Sequence, residues 1–208
     1  KVTEQPVFQL LGGLARKKIR TYNTCAGYRY VRSRPDWDTS DWGLESPPEG
    51  PYEDLDAFLN RPDELALDLL GQGITGMKIW PFDHAAEDSD GYYISNESLD
   101  RCLEPFQKIR NAVGDKMDIM VELHSLWRLP AALKIAEALE PYNPYWYEDP
   151  VRMDSLPALA RFAEATRVPV CASETIAGRW GYRDLIESLA PGILMPDIVW
   201  CGGLTEAK

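Results

Sequence analysis

Short apolar runs alternate with amphipathic helical stretches along most of the chain. The segment 62–73 begins at Pro62, places Leu65 and Leu69 on one face and ends at Gly73, which is the pattern of a helix. Read in this way, the sequence predicts strands at 18–28, 76–83, 117–124, 144–150, 168–174 and 192–200, and helices at 62–73, 96–114, 129–143, 155–166 and 182–191.

This alternation predicts an α/β fold with parallel strands and right-handed crossovers. The two candidates are a doubly wound sheet and a (β/α)8 TIM-type barrel. Ionisable groups end strand after strand, which favours the barrel, because barrel active sites lie at the carboxyl ends of the strands. Six strands do not close an eight-stranded barrel, so we expect a truncated barrel of about six βα units over 18–208.

The two ends of the chain are abrupt. The sequence starts without Met and stops in GGLTEAK, which looks like the start of a helix, so we expect part of a longer protein. Residues 1–17 are interpreted as the end of a preceding helical segment. The stretch 33–61 has no period and predicts a long loop over the site, in which Trp37 and Trp42 favour a substrate-covering or interface role.

Charge and cysteine usage narrow the class of protein. The net charge of −11 disfavours nucleic acid or an anionic membrane as a partner, and it allows that some acids cluster to hold cations. The four cysteines are widely spaced without a CxxC, which predicts a reduced, cytoplasmic chain rather than a zinc site or a disulfide framework. No apolar run approaches membrane-spanning length.

Four acids end four successive predicted strands. Glu122, Glu148, Glu174 and Asp197 are spaced by 26, 26 and 23 residues. Neighbouring strand ends in a barrel lie roughly 5 Å apart, so these side chains can converge. Clustered carboxylates repel one another unless a cation joins them, and oxygen ligands favour Mg²⁺ over Zn²⁺. The alternative for any single acid is a helix cap or a solvated loop residue.

The motifs VELH, WYEDP, ASET and MPDIVWCGG, in this order, resemble the mandelate racemase subgroup of the enolase superfamily, and most of all its acid-sugar dehydratases. The resemblance extends from QLLGG to the GG after the sixth strand. It implies that Glu122, Glu148 and Glu174 bind Mg²⁺. It also implies that Asp197 pairs with a histidine at the end of the seventh strand, which would lie beyond Lys208.

The second predicted strand differs from the family pattern at one position. Where the family often ends this strand with KxK, this chain has Lys78, Ile79 and Trp80. Lys78 matches the lysine that binds the substrate carboxylate. Trp80 replaces the lysine that is commonly a base, which argues against racemisation by two bases. The alternative for Lys78 is a snorkelling surface lysine, but its apolar surroundings favour burial beside charged partners.

His124 follows Glu122 by two residues, so the two side chains would share one strand face. The dehydratases carry an acid-x-His at this point, which implies that His124 is a general acid; the alternative is a structural histidine. Tyr22 and Asn23 are candidates for contacts with substrate hydroxyls, or have core or turn roles. We expect Arg179 either to contact a substrate oxygen or to pair with a neighbouring acid.

These residues together predict an acid-sugar dehydratase. It would remove the α-proton of a sugar acid with the help of Mg²⁺ and then eliminate the β-hydroxyl as water, giving a 2-keto-3-deoxy acid. The alternatives are an epimerase, racemase or cycloisomerase of the same superfamily, and a non-catalytic barrel module for assembly or binding. We expect a small-molecule sugar acid as substrate and a homo-oligomer, with no nucleic acid or membrane partner.

Overall fold

A computed structural model describes residues 3–27 and 53–208, which form a five-stranded parallel sheet with helices between the strands. The strands are β1 (Gly76–Ile79), β2 (Asp118–Glu122), β3 (Trp146–Glu148), β4 (Val170–Ala172) and β5 (Ile193–Leu194). The α-helices are α1 (Val7–Leu10), α2 (Asp54–Asn60), α3 (Pro62–Gly71), α4 (Asp83–Glu87), α5 (Asn96–Val113), α6 (Leu129–Leu139), α7 (Leu156–Ala165), α8 (Gly178–Glu187) and α9 (Leu204–Ala207), with 3₁₀ turns at Gly114–Lys116 and Glu140–Tyr142.

The strands lie side by side in the order β1-β2-β3-β4-β5, and every pair is parallel. A doubly wound sheet would reverse its strand order at a switch point, whereas a barrel adds each strand beside the last. The sheet order over the described ranges therefore confirms the barrel class. The boundary between a preceding helical segment (1–17) and the barrel (18–208) stays a prediction.

The core lies on both faces of the sheet. One large cluster packs the outer face against the helices and includes Phe106 and Phe162, both fully buried. A small cluster of Met120, Trp146 and Cys171 occupies the other face. Burial on both faces is typical of parallel strands. In 3–27 and 53–208, no helix has the length and apolar character needed to cross a membrane.

Local chemistry explains where the helices begin. Helix α5 begins after Ser95, whose hydroxyl accepts the Ser98 N–H, and it runs through the buried Pro105 to Val113. Helix α3 begins at Pro62, as predicted, because a proline in the first turn loses no helical hydrogen bond. Helix α8 begins at Gly178, four residues before the predicted start.

All six predicted strands are shorter than expected in the described part of the chain, and two are reduced most. The strand predicted at 18–28 is reduced, within its described part, to one bridge between Asn23 and Met77. The reason is local: the Asn23 side chain accepts the Cys25 N–H and turns the chain, and Cys25 has φ +53°. The strand predicted at 192–200 stops at Leu194, and Pro196, which has no N–H, follows it closely.

The predicted loop 33–61 is partly wrong. Its last residues form helix α2, which begins at Asp54 after Glu53 accepts the Asp56 N–H. Residues 28–52, with Trp37 and Trp42, lie outside the described ranges, so the substrate-covering role stays a prediction.

Candidate active site

A buried lysine joins two buried glutamates at the carboxyl ends of three neighbouring strands. Lys78 Nζ lies 2.8 Å from Glu122 Oε2 and 2.5 Å from Glu148 Oε1. The side chains are 9%, 1% and 0% exposed, respectively. The predicted burial of Lys78 beside charged partners is thus confirmed, and its surface alternative is wrong.

The register of the sheet explains this arrangement. Glu122 on β2 pairs directly with Glu148 on β3, so the two carboxylates share one level of the sheet. Lys78 on β1 pairs with Met120, which lies two residues before Glu122 and therefore on the same face. The long lysine side chain spans the remaining distance to both carboxylates.

Each oxygen of the two carboxylates has a hydrogen-bond donor. Glu122 Oε1 accepts the backbone N–H groups of Leu123 and His124, while Oε2 accepts from Lys78. Glu148 Oε1 accepts from Lys78, and its Oε2 accepts the indole N–H of Trp146 at 3.0 Å. The pair is thus held in place from several directions, as a preorganised site requires.

Burial and charge shift the titration of this cluster. Burial, together with the neighbouring Glu122, raises the pKa of Glu148 to about 8. Burial alone would raise the pKa of Glu122. The hydrogen bonds to Glu148 and Lys78, together with the charges of Lys78 and His124, outweigh burial, so the pKa of Glu122 is lowered. Burial lowers the pKa of Lys78, yet the two carboxylates outweigh it and the pKa is raised. Two carboxylates thus share one cation.

His124 lies beyond β2 rather than on it. The strand ends at Glu122, and His124 and Ser125 adopt φ +47° and +58°, so strand alternation does not place His124. Its Nδ1 lies 2.9 Å from Asp83 Oδ2, and its ring meets Trp80 edge-on at 5.4 Å between centroids. The expectation that Glu122 and His124 share a strand face is wrong.

The environment of His124 favours its charged form. Burial lowers the pKa of His124, but the hydrogen bond to Asp83 and the charges of Glu122 and Asp83 outweigh burial, so the pKa is raised. The residue also lines a cavity of about 640 Å³, whose other walls include Phe58, Trp80 and Leu126. A protonated histidine beside a cavity can donate a proton to a bound molecule.

Glu174 and Asp197 do not join the Lys78 cluster. Glu174 is exposed, two residues beyond β4. Asp197 lies three residues beyond β5, where its Oδ1 accepts the N–H groups of Val199 and Trp200 and caps a turn. Over the described ranges, no three His, Cys, Asp or Glu residues are grouped to hold a metal ion. The three-glutamate metal site therefore stays a prediction.

The donor chemistry of the cluster nevertheless suits a hard cation. Two buried carboxylates face one lysine, so the cluster has one negative charge in excess when both are ionised. Buried carboxylate oxygens are the ligands that Mg²⁺ prefers. These side chains are thus of the type that binds Mg²⁺. In this structure, the cation between the two carboxylates is the Lys78 ammonium.

The remaining predicted contacts are structural in this conformation. Tyr22 packs edge-on against Trp146 at 5.3 Å between centroids. Asn23 donates to Asp54 at 2.9 Å. Arg179 pairs with Glu206 at 2.7 Å on the surface. These contacts match the core, turn and acid-pairing alternatives, and a substrate contact for these residues stays a prediction.

Two partners of the site residues were not predicted from the sequence. Asp83 binds His124, and Trp146 binds Glu148. A signal for Asp83 existed, since it follows β1 by four residues and is an acid near a strand end like the others. Asp149 is also buried, and its Oδ2 accepts from Ser173 at 2.9 Å. Burial, then the charge of Glu122, raises the pKa of Asp149 to about 7.

Several known proteins are similar to this chain. The chain is 27% identical over 210 residues to a D-galactonate dehydratase of Ralstonia pickettii and 26% identical over 206 residues to an arabinonate dehydratase of Saccharolobus solfataricus. Among solved structures, an enolase of the mandelate racemase subgroup from Agrobacterium tumefaciens is 50% identical with a TM-score of 0.79, and an enolase protein from the Sargasso Sea is 36% identical with a TM-score of 0.78.

These matches cover nearly all of this chain but only part of each relative. The alignments span 99% of the chain and 45% of both dehydratases. For the two structures, they span 99% and 97% of the chain and 47% and 46% of the matched chains. The chain therefore spans about half the length of these relatives. Residues 63–208 match the family described as enolase C-terminal domain-like, a (β/α)8 barrel, and the chain belongs to that family.

Proposed function

We propose that this chain carries part of the active site of a Mg²⁺-dependent acid-sugar dehydratase. The observation that supports this most directly is the buried Lys78–Glu122–Glu148 cluster at the strand ends, with His124 close by. Two relatives are named dehydratases of sugar acids, D-galactonate and arabinonate. The substrate is proposed to be a sugar acid, and a homo-oligomeric state stays a prediction.

The metal would be held by Glu122, Glu148 and Glu174. Two of these carboxylates already lie together, and they would carry one excess negative charge when both are ionised, which supports their role as ligands. The bound ion would stabilise the negative charge that develops on the substrate carboxylate during proton removal. Lys78 would release at least one glutamate in that state, and its ammonium would then neutralise the substrate carboxylate.

Residues of this chain would assist one proton transfer and perform the other. Asp197 would orient the histidine that removes the α-proton, which the resemblance places beyond Lys208. His124 would give a proton to the departing β-hydroxyl, so that the C–O bond breaks and water leaves. The raised pKa of His124 supports this role, since an acid must be protonated near neutral pH to donate.

A metal titration of a glutamine variant tests the ligand set. Mg²⁺ should raise the melting temperature of the wild-type chain, since a ligand that binds only the folded state stabilises it. Glu148→Gln should keep the fold and lose the Mg²⁺-dependent gain, because glutamine keeps the shape but not the charge. Glu137→Gln, at an exposed position of helix α6, is the matched control and should respond as the wild type. A full Mg²⁺ response in Glu148→Gln would refute the ligand assignment.

A separate experiment tests the acid step. In the whole protein, His124→Asn should lose elimination of water but keep exchange of the substrate α-proton with solvent deuterium. Both activities are measured on D-galactonate and arabinonate, by keto-acid formation and by deuterium incorporation. Equal loss of both would refute the general-acid role.

The product distinguishes the alternatives. An epimerase or cycloisomerase would use the same metal site without forming a keto acid, and Trp80 in place of a second lysine argues against racemisation by two bases. A non-catalytic barrel module would show no stabilisation by Mg²⁺ and no product. Detection of a 2-keto-3-deoxy acid with semicarbazide would support dehydration.

A further inference from the structure

We propose that Asp83 is a positioning residue for His124, which it holds as the Nδ1–H tautomer so that Nε2 is the nitrogen that serves the substrate. This inference rests on the acid role proposed above for His124. In that step the Nε2 proton would pass to the departing hydroxyl, and the ring would remain as the neutral Nδ1–H form already bonded to Asp83.

The contact itself fixes the direction of the hydrogen bond. Asp83 Oδ2 lies 2.9 Å from His124 Nδ1, and a carboxylate oxygen accepts, so Nδ1 donates. Within 3–27 and 53–208, no hydrogen bond engages His124 Nε2, which leaves it free for another molecule. The partner on one ring nitrogen thereby determines the chemistry of the other.

Both partners are held by rigid structure. Asp83 is the first residue of helix α4, which begins four residues after β1 ends, and the preceding Phe82 is fully buried. On the other side, Glu122 Oε1 accepts the His124 N–H, and the Ser125 N–H donates to the Asp149 carbonyl. Left-handed backbone at two consecutive non-glycine residues persists only where such bonds impose it.

The surroundings limit rotation of the ring. Trp80 meets the His124 ring edge-on at 5.4 Å between centroids, so exchange of the two nitrogens would require the ring to turn against the indole. Asp83, Trp80 and His124 line the same cavity of about 640 Å³. A molecule in this cavity would therefore meet a histidine whose orientation is already set.

A structural role alone does not explain the carboxylate. Asp83 Oδ1 is buried and has no hydrogen-bond partner in the described part of the chain. A buried acceptor without a donor costs stability. Local violations of hydrogen-bond satisfaction of this kind are typical of functional sites.

The tautomer can be measured without any activity. Long-range ¹H–¹⁵N correlation spectra of the ¹⁵N-labelled chain, at a pH where the ring is neutral, distinguish Nδ1–H from Nε2–H. The chain has two histidines, so His84→Gln assigns the signals. His124 should be Nδ1–H in the wild type and largely Nε2–H in Asp83→Ala. Asp83→Leu serves if the alanine variant does not fold, because its side chain fills a similar space and cannot accept from Nδ1.

A second acid–histidine pair on the same helix supplies the control. Glu87 lies 3.8 Å from His84, and both side chains are strongly exposed. Glu87→Ala should leave the His124 tautomer unchanged. An Nε2–H form in the wild type, or no change in either Asp83 variant, would overturn the proposal.

Kinetics of the whole protein separate this proposal from the function it rests on. Asp83→Ala should slow elimination about ten- to hundredfold while α-proton exchange continues. Equal loss of both rates would overturn the positioning role. If the wild type does not eliminate water and Asp83→Ala still changes the tautomer, the proposed function fails and the assignment of the tautomer stands.

Discussion

Replacement of Lys78 by methionine tests the ion-pair reasoning at the centre of the site. Lys78→Met keeps most of the side-chain volume and removes the ammonium that lies between Glu122 and Glu148. Removal of one partner from a buried ion pair costs roughly 3–5 kcal/mol, because the remaining charge stays buried without compensation. We expect a loss near the lower limit, about 3 kcal/mol, because one of two adjacent carboxylates can take up a proton.

An exposed ion pair on the same sheet provides the control. Arg20 lies 2.5 Å from Asp118 on β2, but the two side chains are 49% and 37% exposed. Solvent screens such a pair, so Arg20→Met should cost less than about 1 kcal/mol. The shortest contact is 2.5 Å at both sites, but Lys78 is buried between two carboxylates, whereas Arg20 is exposed and faces one.

Urea denaturation without metal measures both variants. A loss of about 3 kcal/mol corresponds to a fall of roughly 6–12 °C in melting temperature for a chain of this size. Mg²⁺ should recover part of this loss in Lys78→Met, since a bound ligand at a hundredfold its Kd adds about 2.7 kcal/mol. A cost no greater than that of Arg20→Met would refute the argument from burial.

Three further results are expected. Trp146→Phe leaves Glu148 Oε2 without its indole donor and should cost about 1–3 kcal/mol in urea denaturation; unchanged stability would show that this bond is unimportant. Cys25, Cys102 and Cys171 should react slowly with a thiol reagent in the native chain and fully only in denaturant. The reason is that burial raises the pKa of Cys102 to about 11 and raises those of Cys25 and Cys171 as well. Rapid labelling of any of these three in the native chain would contradict their burial. Calorimetry should show that D-galactonate increases the affinity for Mg²⁺, since the Lys78 ammonium can leave the two glutamates more easily when it can pair with a substrate carboxylate. Equal Mg²⁺ affinity with and without D-galactonate would argue against this coupling.

The sequence predicted the parallel βα order and the convergence of Glu122 and Glu148 at neighbouring strand ends, although Glu174 and Asp197 do not join them. Both follow from strong local signals, which are short runs of apolar residues and acids separated by the length of one βα unit. The burial of Lys78 was also predictable, because it stands within an apolar run. These features depend on period and spacing, which a single sequence records directly.

Other features depend on side-chain bonds that periodicity does not record. The strand around Asn23 is cut short because its own amide binds the backbone two residues later. Asp197 caps a turn instead of ending a strand, again through its own side chain. Short polar side chains that bind nearby backbone compete with strand pairing, and apolar patterns do not reveal the outcome.

The position of Lys78 explains how the cluster can be stable and still be suited to bind a metal. All four oxygens of Glu122 and Glu148 already have donors, so a cation must compete with a bound ammonium rather than enter an empty site. The lysine offsets the repulsion between the two carboxylates in this state. Its charge would offset that of a substrate carboxylate in the proposed bound state. Lys78 would thus neutralise the glutamates in the free state and the substrate carboxylate in the bound state. Metal binding and substrate binding would therefore be linked through this one side chain.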